Sequence, residues 1–225
     1  MSKIIAAIGP PSTGKSASMR TLDPEETFIV SCIGKTPPFQ GWSDDYPEFT
    51  KENREEGRFY DLDVPPRQMA NKLEWILNAI NEKRKDVEVV VIDDFQYVLS
   101  FQYMDRALEN GWDKFTEMGV SIFDVINNAR QMRDDLMIVF LSHSADKSDA
   151  SHGMEGFKTI GKMLDKHVDL EGLFNIILFS ERVDGEYRFL TQTDGERIAR
   201  SPMGMFDERI PNDLGMVVDR IREYN

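Results

Sequence analysis

Residues 9–16 read Gly9-Pro10-Pro11-Ser12-Thr13-Gly14-Lys15-Ser16, a spacing of glycines, lysine and hydroxyl that suits a nucleotide triphosphate. The glycines let the backbone curl so that its N–H groups converge on phosphate oxygens. Lys15 is then set to reach the β- and γ-phosphates, and the Ser16 hydroxyl to ligate Mg²⁺. The cradle is expected to extend from Gly9 to Ala17. Its context also fits: the apolar run Ile4–Ile8 predicts a buried strand before it, and a short helix is expected from Lys15, whose N-terminal end would add positive charge.

A second group of residues could complete such a site. The run Glu88–Ile92 predicts a strand, and Asp93-Asp94 follows it directly. An acid in that place would hold Mg²⁺ through water, the role expected of Asp93. Asp94 would then project near the γ-phosphate and could polarise an attacking water. Asp63, after Phe59-Tyr60-Asp61-Leu62, is the competing base. The strand Leu136–Leu141 ends in Ser142-His143-Ser144, where His143 or Ser142 could sense the γ-phosphate. The histidines at 143, 152 and 167 lack the close pairing of a zinc site, so Mg²⁺ is the only metal expected.

The bulk numbers set limits. With 225 residues, 40% hydrophobic and 30% charged, the chain suits one α/β domain with a substantial core. Twenty-seven Lys and Arg against 40 Asp and Glu give a net charge of −13, which argues against a basic coat for duplex DNA. The single cysteine, Cys32, excludes an intramolecular disulfide and points to a reducing, cytoplasmic compartment. The apolar run near the N-terminus is too short for a secretory signal or a membrane span.

Positioning these residues requires alternating strands and helices. Further strands are expected at Thr27–Ile33, Arg58–Leu62, Phe174–Ser180 and Tyr187–Thr191, the last two joined by a hairpin turn at Asp184-Gly185. Pro66 suits a helix start, with Met69, Leu73, Ile76, Leu77 and Ile80 at helical spacing. A broken helical stretch is expected over 95–110, a helix near 119–134, and a final helix capped by Asn212. The predicted fold is α/β: a mostly parallel central sheet flanked by helices, with a C-terminal antiparallel hairpin, in one domain over 1–225.

Nucleotide chemistries can be separated by residues. A guanine-reading Asn-Lys-x-Asp is missing, Asp146-Lys147-Ser148-Asp149 being offset and lacking the asparagine, so GTPase chemistry is not expected. No arginine lies between Arg133 and Arg182, which leaves out the arginine-bearing lid of small-molecule kinases. The arginines come late, at 182, 188, 197 and 200, and Arg197 or Arg200 could be presented outward to complete a neighbouring subunit's site.

The order GPPSTGKS, IDD, SHS, polar loop and terminal hairpin resembles a minimal RecA-type P-loop ATPase core. The passages LDPEETFIVSCIGKTPPFQGW and RIARSPMGMFDERIPNDLGMVVDRIREY are more narrowly similar to phage-encoded RecA-like ATPases, the group that includes single-strand annealing proteins. The resemblance implies binding and hydrolysis of ATP with Mg²⁺, self-assembly into a ring or filament, and action on single-stranded DNA in recombination or replication in the host cytoplasm; the alternatives are a replication loader or remodelling ATPase whose partner is a protein, and a nucleotide-locked assembly module. It also implies that residues 145–166, with Lys147, Lys158, Lys162 and Lys166 among Asp146, Asp149, Glu155 and Asp165, contact the DNA. One departure is visible: FIVSCIGK ends without the catalytic glutamate that the family carries after an early strand, which leaves Asp94 or Asp63 as the base. Pro37, Pro38, Phe39, Trp42 and Tyr46 could stack bases, although loop packing is the alternative role.

Overall fold

Apolar runs without alternation need cover on both faces, the situation of parallel strands between helices. In the computed structural model, which describes residues 1–145, 153–159 and 169–224, these runs build such a sheet. The strands β1 (Lys3–Gly9), β2 (Thr27–Ser31), β3 (Phe59–Asp61), β4 (Val89–Asp93), β5 (Met137–Ala145) and β7 (Ile176–Val183) are parallel, in the spatial order β3-β2-β4-β5-β1-β7. β8 (Glu186–Leu190) and β9 (Arg209–Pro211) extend the β7 edge as antiparallel strands, and β6 (Gly156–Phe157) pairs antiparallel with the end of β5. The hairpin between β7 and β8 turns at Asp184-Gly185, as expected.

Alternate residues of each strand feed two cores. Ile4, Ala6 and Ile8 of β1 pack with Val90, Ile92, Ile138 and Phe140 beneath α2 (Met69–Lys83), α3 (Gln96–Asp105) and α4 (Asp113–Arg130). Ile5 and Ala7 pack with Val91, Val139 and Leu141 beneath the 3-10 helix Ser16–Thr21 and the terminal α5 (Leu214–Tyr224). The short α1 (Trp42–Asp45) lies on this second side, with Trp42 against the ring of Phe59 at 5.3 Å between centroids.

Because six strands share one direction, their carboxyl ends meet at one edge of the sheet. The glycine loop after β1, Lys35 beyond β2, Asp93-Asp94 at the end of β4 and His143 on β5 all gather there. That edge is where open α/β sheets bind ligands.

Three local expectations need correction. The helix after the glycine loop is a 3-10 helix of six residues, because the chain must turn at Asp23-Pro24 into β2. So short a helix has little dipole to add to the loop's own N–H groups. Helix α4 begins at Asp113 rather than near 119, with Gly119 inside it on the buried face. Packing of Met118, Ile122, Val125 and Ile126 outweighs the helix cost of that glycine, about 1 kcal/mol. Asn212 is not the N-cap of α5. Asp213 is, its Oδ1 accepting the Met216 N–H at 2.9 Å, while the buried Asn212 turns inward and donates to Ser180 Oγ at 3.3 Å. Among the described residues, no helix is long and apolar enough to cross a membrane.

Candidate functional site

The glycine loop is fastened to the strands beside it. Thr13 Oγ1 donates to the Pro10 carbonyl at 2.8 Å, and Ser180 Oγ on β7 donates to the Thr13 carbonyl at 2.7 Å. A Cβ at Gly9 would lie 2.4 Å from the Ser180 carbonyl oxygen, and one at Gly14 would lie 2.9 Å from Asn212 Oδ1 and 3.1 Å from Tyr187 Cδ1. Both glycines are therefore required by close approach. Pro11 and Ser12 form the exposed crest, with Ser12 held at φ 64°, a left-handed conformation uncommon for a residue with a side chain.

Lys15 is buried, and its Nζ donates to the carbonyls of Gly9 at 2.8 Å and Pro10 at 2.6 Å. Burial pushes its pKa down to about 8, against the opposing pull of Asp94 and Asp93. Ser16 and the half-buried Ala17 follow at the start of the 3-10 helix.

The acid pair divides its contacts. Asp93 is 5% exposed, and its Oδ1 accepts from Ser16 Oγ and from the Asp94 N–H, each at 3.0 Å. Burial and then the neighbouring Asp94 push its pKa up to about 6, against those hydrogen bonds. Asp94 sits at φ 59° and is tied by Lys35 Nζ at 3.1 Å and by Gln96 Nε2 at 3.0 Å. Its carboxylate caps no helix: α3 has no side-chain cap, and the acid faces the cluster. Gln96 Oε1 accepts the His143 N–H at 3.0 Å, so one amide holds both Asp94 and the end of β5. His143 Nε2 lies 3.9 Å from Asp94 Oδ1, and burial together with Lys15 lowers its pKa, which leaves the imidazole neutral near pH 7. Ser142 is fully buried and turns its hydroxyl to the His143 carbonyl at 3.5 Å, so His143 is the side chain that β5 presents.

Asp63 stands exposed beyond β3, the outermost parallel strand, with β2 between it and β4. The arginines are used within the subunit. Arg197 pairs with Asp194 and with the buried Glu181, and Arg200 donates to the carbonyls of Glu171, at 2.7 Å, and Phe174. Both guanidinium groups thus have partners in their own subunit, while Arg200 as a residue is exposed and Arg197 half-buried. Of the cations expected to contact DNA, Lys158 is described, and its backbone N–H donates to the His143 carbonyl at 3.0 Å. Lys147, Lys162, Lys166, Asp146, Asp149, Asp165, His152 and His167 lie outside the described residues. Tyr46 is buried and Phe39 and Trp42 are core neighbours, so the proline-aromatic stretch packs the fold.

Two members of the cluster escaped the sequence reading, Lys35 and Gln96. Each had a signal available: Lys35 closes the segment after β2, and Gln96 is the second residue beyond Asp94.

The donor set fits Mg²⁺. Ser16 Oγ and Asp93 Oδ1 lie 3.0 Å apart, and Mg²⁺ is usually held by one or two protein oxygens together with phosphate oxygens and water. Among the described residues, no group of three His, Cys, Asp or Glu side chains could hold a metal ion unaided. No protein-family model matches the chain, and no curated protein matches it.

Proposed function

We propose that this protein binds ATP with Mg²⁺ and hydrolyses it as a RecA-like P-loop ATPase. The observation that carries the reading is the 3.0 Å hydrogen bond between Ser16 Oγ and Asp93 Oδ1. It joins the glycine loop to the acid strand across β5, which supports reading the two as a phosphate cradle and a cation-holding carboxylate.

The residues divide the work. Lys15 leaves the Gly9 and Pro10 carbonyls for the β- and γ-phosphate oxygens, where its full charge is favoured. Ser16 and Asp93 would hold Mg²⁺, whose charge would offset that of the phosphates. Asp94 accepts a proton from the water whose oxygen attacks the γ-phosphorus as the bond to the β-phosphate oxygen breaks, releasing ADP and phosphate. Gln96 keeps Asp94 and the β5 end in register. Lys35 supplies a cation from the same subunit, so an arginine from a neighbour is not required. Self-assembly and single-stranded DNA as partner rest on the sequence resemblance. The backbone link from Lys158 to His143 offers a route by which a ligand on the segment after β5 would act on the site.

ATP consumption with and without single-stranded DNA tests this reading. Stimulation that weakens with added salt supports it; equal rates at all salt concentrations contradict the DNA assignment. A second reading, a remodelling or loader ATPase with a protein partner, is favoured by exposed Phe101, Met104, Leu108 and Trp112 around the α3–α4 connection. Stimulation by a replication protein but not by DNA would select it.

A further inference from the structure

The acid cluster fixes the direction in which a triphosphate would lie. Asp93, Asp94, Lys35 and His143 occupy the β4–β5 side of the glycine loop, and this side takes the terminal phosphate. The nucleoside must then leave on the opposite side of β1, over β7, β8 and β9. A cleft of about 690 Å³ opens there, lined by Ala17, Arg20, Tyr187, Arg188, Pro211 and Asn212. Its volume lies within the range of small-ligand sites.

The cleft adjoins the cradle directly. Gly14 packs against Tyr187 and Asn212, the contacts that leave no room for a Cβ. Arg20 Nη1 donates to the Asn212 carbonyl at 3.1 Å and to the Ala17 carbonyl at 2.9 Å, which fixes the floor. Arg188 is paired with Glu186 at 2.6 Å. Tyr187 is different. The residue is 45% exposed, with Arg182 over one side of its ring at 5.2 Å from the centroid. An exposed aromatic ring beside a phosphate loop is costly to leave wet and suited to a flat, apolar partner.

We propose that this cleft is the nucleobase subsite and that Tyr187 holds the base by stacking. The proposal rests on the phosphate-loop reading above and adds the residue that recognises the rest of the nucleotide. With Arg20 on the Asn212 and Ala17 carbonyls, Arg188 on Glu186, Arg209 on Glu181 and Glu208, and the Asn212 amide on Ser180 Oγ, recognition comes from the ring face rather than from hydrogen bonds to the base edge. Every base has such a face, so the subsite discriminates poorly among bases and strongly between a nucleotide and bare triphosphate.

Titration calorimetry with MgATP, MgGTP and magnesium tripolyphosphate tests it on the wild-type chain, Tyr187→Ala and Tyr187→Phe. Stacking predicts that the wild type binds ATP about tenfold more tightly than tripolyphosphate. GTP should fall close to ATP. Tyr187→Ala should bring ATP down to the tripolyphosphate level without changing tripolyphosphate itself, and Tyr187→Phe should restore the difference. An ATP advantage that survives Tyr187→Ala overturns the subsite, as does tripolyphosphate binding as tightly as ATP to the wild type. If tripolyphosphate binding also falls in Tyr187→Ala, the ring supports the loop rather than the base, and the proposal is again overturned. Failure of both ATP and tripolyphosphate to bind the wild type would instead remove the phosphate-loop reading, so the two failures are distinguishable.

Discussion

Lys35 Nζ lies 3.1 Å from Asp94 Oδ2, closing the segment after β2 onto the acid that follows β4. The pair is lopsided: the lysine side chain is 62% exposed and the carboxylate 9%. The hydrogen bond to Asp94 is the largest influence on Lys35 and raises its pKa, so the ammonium stays charged at neutral pH. With its lysine end in solvent, and Gln96 still bonded to the carboxylate, such a pair stabilises a fold by only about 0.5 kcal/mol. Under the proposed function, its value lies in charge held near the γ-phosphate position.

Lys35→Ala should therefore separate stability from turnover. The melting temperature is expected to move by about 2 °C or less. ATP turnover should fall by roughly 10²-fold, the usual loss when one preorganised donor to a developing charge is removed. Lys35→Arg should recover part of it. Steady-state hydrolysis beside thermal melts decides the matter, and an unchanged kcat in Lys35→Ala would contradict the assigned role.

Gly9 tests whether the loop is built as tightly as its contacts indicate. A Cβ there meets the Ser180 carbonyl oxygen at 2.4 Å, and that oxygen belongs to the backbone of β7, which cannot yield cheaply. Gly9→Ala should cost about 1–3 kcal/mol, the usual penalty for overpacking. For a chain of this size that lowers the melting temperature by about 5 °C. A melting temperature equal to wild type would show that the loop has slack.

Much of this arrangement was legible in the sequence. The parallel strands announced themselves as unbroken apolar runs, and the glycine loop and Asp93 are joined at one edge of the sheet. What stayed hidden depended on partners distant in sequence. Asn212 has the look of a helix cap, but Ser180 is 32 residues away and decides its orientation. Arg197 has the look of a free cation until β7 brings Glu181 beneath it. Lys35 lies 59 residues from Asp94, and only the β2–β4 pairing makes them neighbours. β9 is three residues long and has no periodicity to read.

The Asp194 network gives a pH prediction away from the site. Partial burial pushes Asp194 up, but the N–H groups of Glu196 and Arg197, at 3.0 and 2.9 Å, and the Arg197 guanidinium outweigh it and hold its pKa at about 2. The unfolded value is about 3.9. A folded pKa below the unfolded one contributes stability that is complete above about pH 4 and is lost as pH falls toward 2. Denaturant midpoints between pH 5 and 2 should fall more steeply for the wild type than for Asp194→Asn. Parallel slopes would contradict this account.

The central claim is that Gly9–Ser16 with Asp93 binds and hydrolyses ATP, and Lys15 tests it most directly. Its buried ammonium has a pKa lowered to about 8, so removing it relieves a desolvated charge and the fold should survive Lys15→Ala. The decisive measurement is phosphate release from MgATP by the wild type and Lys15→Ala, each first shown to be folded by thermal melting. The account predicts steady release by the wild type and a loss of at least about 10²-fold in the variant. Equal release by the two folded proteins, or none by the wild type in the presence of Mg²⁺, would contradict it.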